Sequence, residues 1–374
     1  MKNSIYLDYA ATTPVDPQVA EKMMQYLTPA GVFGNASSIH VTGQTAKKAV
    51  DDARAQVASV IHAEPEEMIW TSGATESNNL ALKGAAHLYQ RKGRHIITVK
   101  TEHVSVLDCC QQLEKEGFSV TYLTPESNGL LNLERFRDAL RDDTILVSVM
   151  QVNNEIGVIQ PIETIAQWTA ERGILLHVDA AQSIGKTQLN LQKMPIDLVS
   201  LSSHKTYGPK GVGALYVRRR PRVRVASQMH GGGHEQGMRS GTLAVHQIVA
   251  MGEAFELAIE KFDEEQKKIK EFKQYLYEQL HAKVGAMVNG DWDNAVPHIL
   301  NVRFPGKKAS DLMNAMPNVA VSTGSACHAK GTEPSYVLRA LGLSAEEAHS
   351  SLRFSFGRFT TREEIESVVD LFAM

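Results

Sequence analysis

The chain has 374 residues, 43% hydrophobic and 22% charged, which is ordinary for a globular protein and long enough for two domains. Its 39 Lys and Arg against 42 Asp and Glu leave a net charge of −3, which argues against nucleic acid or an acidic membrane as the main partner. No stretch approaches the apolar length needed to span a bilayer, the amino end MKNSIYLDYAATTP meets Asp8 too early for a signal peptide, and three cysteines form no disulfide framework; a reducing cytoplasm is therefore expected.

In chain order, SIYLDYA is expected to join one of the domains as a strand. From about residue 66 to 217 seven short apolar runs (EMIWT, RHIITV, SVTYL, TILVSVM, GILLHV, IDLVSLS and GALYV) are rich in β-branched residues, with helical stretches such as ETIAQWTAERG between several of them. That alternation predicts an α/β domain around a mostly parallel seven-stranded sheet. RRRPRVR, 218–224, follows the last run as the one basic cluster and reads as a solvated strand end. Residues 246–285 have an apolar stripe and no Pro, which predicts one or two long helices leading to a second unit. ILNVRF, VAVSTG and SLRFSFG then read as strands of a smaller C-terminal α/β domain. The boundaries expected are 15–258 for the large domain, with 1–14 and 259–374 forming the small one.

Between those last strands lies STGSACHAKGTEP, 322–334, where Cys327 stands among small polar residues that cannot pack around it. A structural cysteine is usually buried; this one reads as an exposed thiol on a loop. Cys109 and Cys110, in VSVLDCCQQLEKEG, read as packed helix residues.

Ligands of open α/β sheets bind beyond the carboxyl ends of the strands. There the sequence places SGATESNN, with Gly73, Ala74 and Thr75 entering a helix as an anion site, then His103, Asn154, Asp179 with Gln182, and Ser202, Ser203, His204 and Lys205. Singly, each has a plain alternative: a turn cap, a surface imidazole, a helix N-cap. Together they supply what pyridoxal phosphate requires: a lysine amine for its aldehyde, a carboxylate for its pyridine nitrogen, an imidazole to stack on its ring, and donors for its phosphate. GPKGVGA, 208–214, has P-loop-like glycines but Ala214 where a lysine belongs, and HEQGM, 234–238, starts like a zinc-protease motif but ends in Met. Neither carries weight.

The motifs YLDYAATTP, GNASSIH, TSGATESNN, TEHVSVL, VNNEIGVIQPI, HVDAAQSIGK, SSHKTYGPKGVGALYVR, GGGHEQGMRSGT, STGSAC, EPSYVLRALG and LRFSFGRFTT resemble, through nearly the whole length, those of cysteine desulfurases of the iron–sulfur-cluster and nitrogen-fixation type. These are fold type I pyridoxal-phosphate enzymes close to the class V aminotransferases. The resemblance implies conversion of L-cysteine to L-alanine with pyridoxal 5'-phosphate, and a persulfide on Cys327 that passes to a sulfur-acceptor protein for cluster assembly or thiolation. It implies Lys205 as the Schiff-base lysine and general base, Asp179 at the pyridine nitrogen, Gln182 at the ring hydroxyl, and His103 as a catalytic residue that stacks on the ring and handles protons. Ala74, Thr75, Ser202 and His204 would hold the phosphate, with Thr242 reaching it from the second subunit of a homodimer. Asn154, shared between cofactor and substrate, and Arg353 would bind the substrate carboxylate. No metal is implied.

Departures bear on the acceptor rather than the chemistry. His328, Ala329, Lys330 and Gly331 follow the cysteine where small polar residues are usual, Gln236 replaces a common arginine, and the chain stops at Met374 without the tail through which housekeeping members dock their scaffold. A cationic Lys330, with any protonated His328, would favour the Cys327 thiolate; the alternative is that both merely solvate the loop. An aminotransferase on the same fold needs no mobile thiol, so Cys327 argues against it, whereas selenocysteine lyase activity stays open. A sulfur-carrier subunit that has lost its cofactor is disfavoured by Lys205 and Asp179.

Overall fold

The structure, a computed structural model, describes residues 4–323 and 333–372. Its strands in chain order are β1 (Ile5–Tyr6), β2 (Met68–Thr71), β3 (His95–Val99), β4 (Ser119–Leu123), β5 (Thr144–Ser148), β6 (Leu175–Asp179), β7 (Leu198–Ser202), β8 (Gly213–Val217), β9 (Met287–Val288), β10 (Ile299–Arg303), β11 (Val319–Ala320) and β12 (Ser351–Ser355). β2 to β8 form one seven-stranded sheet in the order β2-β8-β7-β6-β5-β3-β4. β3 to β7 pair in parallel, and β8 is antiparallel to both its neighbours. Six strands therefore share one direction, and their carboxyl ends meet the amino end of β8 at one edge.

The inner strands are continuous apolar runs because helices cover both faces of the sheet. On one face Trp70, Ile97, Val147, Leu176, Val178, Val199 and Leu201 pack against helices Val41–Val60 and Val245–Glu260. Their neighbours Ile69, Ile96, Leu146, Leu175, Leu198 and Leu215 point the other way, onto helices Ala74–Tyr89 and Val104–Lys115. Cys109 and Cys110 lie in that second layer, and burial pushes the Cys109 thiol up to about 11. Both are packed, as expected.

The long helical stretch is two helices, Val245–Glu260 and Phe262–Val284, broken at Lys261. The second starts with Asp263, Glu264 and Glu265 in its first turn, complementing the helix dipole, and stops at Gly285, whose φ of +65° suits glycine. It packs on an antiparallel sheet ordered β12-β10-β9 together with helix Arg362–Leu371. Leu7 belongs to the same apolar cluster, and β1 pairs in parallel with β11. The amino-terminal segment thus joins the C-terminal unit, and we propose the domain boundary at the junction between the two long helices.

Candidate active site

A cavity of about 480 Å³ opens at the edge where the six strands end. Ser72 to Glu76 reach it from β2, His103 from β3, Met150, Val152 and Asn154 from β5, and Asp179 from β6. Ser202, His204 and Lys205 come from β7, Lys210 and Gly211 precede the antiparallel β8, Ala10 and Ala11 come from the amino-terminal segment, and Arg353 comes from β12. The strand-end rule thus brings together Ala74, Thr75, His103, Asn154, Asp179, Gln182, Ser202, His204 and Lys205, and Arg353, expected from the resemblance, joins them from the middle of β12.

Lys205 sits in a short 3-10 turn directly after β7. Its Nζ donates to the carbonyls of Ala10 at 2.6 Å and Ala11 at 2.8 Å. Asp179 is nearly buried; its Oδ1 accepts the Ala181 N–H at 3.0 Å and its Oδ2 the Asn78 amide at 2.8 Å. Gln182 donates to the Ala10 carbonyl at 2.8 Å while its Oε1 accepts from Lys186 Nζ at 2.8 Å. Lys186 also donates to the Lys205 carbonyl at 3.1 Å, and burial, assisted by the Lys205 charge, lowers its ammonium to about 7.

Burial governs the other titrations as well. His204, hydrogen-bonded through Nδ1 to Thr12 Oγ1 at 3.0 Å, is lowered to about 4 by burial and then by Lys205, Lys210 and Lys186. His103 is lowered by burial, with Asp179 opposing and Lys205 adding to the shift. Beside it, Glu102 is fully buried with Oε1 accepting the Met150 N–H at 2.6 Å; burial raises its carboxyl well above the ordinary range. Burial thus favours the neutral forms of His103, His204, Lys186 and Glu102.

Arg353, 3% exposed, donates Nη2 to Asp8 Oδ1 at 2.7 Å and Nη1 to the Asn154 carbonyl at 2.7 Å. Among the described residues its buried Nε has no partner, and neither has the buried Asn154 Oδ1. Both residues line the cavity, and buried polar atoms without a partner are uncommon enough to mark a functional site. Gly73 also lines the cavity, and there helix Ala74–Tyr89 begins without a side-chain cap, in contrast to helices Val41–Val60 and Val104–Lys115. Gly73 has φ +148° and open space where a Cβ would stand. Uncapped N–H groups at a helix N-terminus next to open space are a phosphate cradle. An anion cradle, a lysine and a carboxylate lining one cavity fit pyridoxal 5'-phosphate.

One expected residue lies elsewhere. Thr242 is exposed and does not line the cavity; its glycine-rich loop is tied to the phosphate helix by Arg239 and Glu76 at 2.8 Å. Cys327, with His328 and Lys330, lies outside the described residues, but the flanks of its segment are placed. Ser322 exchanges both backbone hydrogen bonds with Arg353, at 3.2 and 2.6 Å. On the other side Ser335 donates to Glu155 at 2.5 Å and Tyr336 to the Glu102 carbonyl at 2.7 Å. Both flanks are therefore fastened beside cavity residues: Arg353, Asn154 and His103.

Sequence reasoning missed Asp8, Asn78, Glu102 and Lys186. The signal for Asn78 and Lys186 was a polar residue on an otherwise buried helical or turn face. Asp8 and Glu102 carried none beyond their place in motifs.

Residues 5–368 match the class-V aminotransferase family. The cysteine desulfurase IscS of Klebsiella pneumoniae is 58% identical over 372 residues, covering 99% of this chain and 92% of that protein. A solved NifS-like protein superposes with a TM-score of 0.92 at 35% identity, covering 99% and 98% of the two chains. The structure of SspA in complex with cysteine gives 0.85 at 38% identity, covering 96% and 100%.

Proposed function

The chain belongs to the class-V aminotransferase family, and from that premise we propose that it is a pyridoxal-phosphate-dependent cysteine desulfurase that forms a persulfide on Cys327. The observation that carries the reading is the joint geometry of cavity and segment. A lysine, a carboxylate, an uncapped helix and an arginine share one cavity, and Ser322, five positions before Cys327, is hydrogen-bonded to that arginine. SspA, similar over nearly its whole length, was solved with cysteine bound.

Lys205 would hold the cofactor covalently, Asp179 its ring nitrogen, Gln182 its ring oxygen, and Ala74, Thr75, Ser202 and His204 its phosphate. When bound, the group would supply an electron sink for charge that develops at the substrate Cα. Asn154 and Arg353 would grip the substrate carboxylate, and Lys205 Nζ would take the Cα proton. The Cys327 thiolate then attacks the substrate sulfur: an S–S bond forms, the Cβ–S bond breaks, and Cβ keeps the electron pair and takes a proton to give alanine. The charge-assisted grip on Arg353 would orient Cβ toward the arriving thiolate.

The persulfide would pass to an acceptor protein, in the cytoplasm, for cluster assembly or thiolation. The working unit would be a homodimer in which Thr242 of one subunit approaches the phosphate site of the other; its exposure here leaves it available for that contact. The deciding experiment incubates the loaded protein with L-cysteine and a thiol reductant. Alanine and sulfide should appear one to one, and Cys327→Ser should bind cofactor yet release almost no alanine. An oxo acid in place of alanine, or full turnover by that variant, would overturn the reading.

A further inference from the structure

We propose that Asn78 and Ser105 are positioning residues that fix the proton of His103 on Nε2, so that the imidazole offers the cavity an N–H and leaves proton removal to Lys205. The inference deepens the desulfurase reading, and rests on it only for the identity of the acceptor that the N–H meets.

The argument starts at Asp179. Its carboxylate can only accept, so the Asn78 atom 2.8 Å from Oδ2 is the amide nitrogen, which fixes the amide orientation in a fully buried site. The same nitrogen lies 2.9 Å from Ser105 Oγ and spends its second hydrogen there. Ser105 Oγ is thus an acceptor toward Asn78, and its own hydrogen goes to His103 Nδ1 at 2.8 Å. The Ser105 backbone N–H points at the same Nδ1 from 3.2 Å, capping helix Val104–Lys115. Two donors converge on Nδ1, and a hydrogen placed there would face both of them. The lone pair is therefore on Nδ1 and the hydrogen on Nε2, which has no hydrogen-bond partner among the described residues on a ring that lines the cavity.

A neutral imidazole in this tautomer can stabilise an acceptor that gains negative charge, such as the substrate sulfur. It cannot take a proton at the nitrogen that faces the cavity. The surroundings keep it neutral: burial and Lys205 disfavour the imidazolium more than Asp179 and Asp108 favour it, and Glu102 behind it is held toward its neutral form. His103 would then act as a fixed donor, tied through two side chains to the carboxylate on the cofactor's nitrogen.

Long-range proton–nitrogen correlation spectra of protein labelled with 15N-histidine read the tautomer directly. They apply to the cofactor-free and the loaded protein, with His103→Gln identifying the signal. Both forms should show an unprotonated Nδ1 and a protonated Nε2 at pH 7. Ser105→Ala and Asn78→Ala remove a donor to Nδ1 or its anchor, and each should move the imidazolium midpoint upward and admit the second tautomer. The wild-type spectrum decides the assignment even where a variant fails to fold. A proton on Nδ1, or an imidazolium at pH 7, would overturn the inference, as would variants that leave midpoint and tautomer unmoved. The assigned tautomer in a protein that makes no alanine from cysteine would support the inference and sink the desulfurase reading alone.

Discussion

Arg353 joins β12 to the amino-terminal segment through Asp8, 345 positions away, and also lines the cavity. Its two functions can be separated with Arg353→Lys. A lysine can keep the ion pair with Asp8 but has no planar fork to offer a carboxylate as well. Losing such a contact costs roughly 2–5 kcal/mol, so the cysteine concentration for half-maximal rate should rise on the order of 10²-fold while cofactor binding persists. Steady-state alanine production against cysteine concentration checks this, and an unchanged half-saturation refutes the carboxylate role. Lys205→Ala should instead abolish turnover and the lysine-linked absorption band, leaving any colour removable by gel filtration; retained alanine production would count against it. Lys205, Asp179, His103 and Asn154 were legible in the sequence because the strand ends announce them. Asp8, Asn78 and Glu102 were not, because their roles come from contacts across 345, 101 and 48 positions that no local pattern encodes.

The sheet strands were legible as elements for a physical reason: both faces are covered, so each inner strand is a bounded apolar run, and SVTYL and GALYV match β4 and β8 residue for residue. The direction of β8 was not legible, since an apolar run carries no polarity. Gly213 shows what the arrangement demands, because a Cβ there would lie 2.6 Å from the Gly73 Cα and 2.5 Å from the Leu201 carbonyl. The anchoring of the glycine-rich loop was equally hidden. Glu235 accepts from Arg54 Nη1 and Nη2 and from the Trp70 N–H, each at 2.8 Å, pinning the loop to helix Val41–Val60 and to β2. Glu235 and Gln236 hold positive φ values of +48° and +56° without being glycine, a local strain that this anchor helps to hold. Glu235→Ala would leave the Arg54 guanidinium unpaired in a mostly buried site, at a cost of roughly 3–5 kcal/mol. Thermal unfolding should show Tm lower by several degrees, and an unchanged Tm would mean that the loop is held by other contacts.

Across the whole molecule, the meeting of the two units at the cavity is what the sequence could least express, since it depends on long-range pairs such as Arg358 spanning Asp16 and Glu265. The same closure buries histidines, and that gives the folded state a pH dependence. His177, in β6, is fully buried between the hydroxyls of Ser148 at 2.8 Å and Ser200 at 2.9 Å. Burial lowers it to about 4, with Asp179 opposing. A histidine depressed in the folded state contributes its stability above the unfolded value near 6.5 and loses it as pH falls toward 4, because the unfolded chain takes up the proton first. The loss for His177 amounts to roughly 3 kcal/mol over that window. His298, also buried and depressed, adds in the same direction, whereas Glu102, raised by burial, acts in the opposite one. The total slope therefore mixes signs, and His177 is isolated by comparison with His177→Gln, which can still hydrogen-bond the serines but does not titrate. Urea unfolding of the two cofactor-free proteins should show the wild type losing roughly 3 kcal/mol more than the variant between pH 7.5 and pH 4. Parallel losses in the two proteins would show that His177 is protonated in the folded state, and that its burial between Ser148 and Ser200 does not hold it neutral.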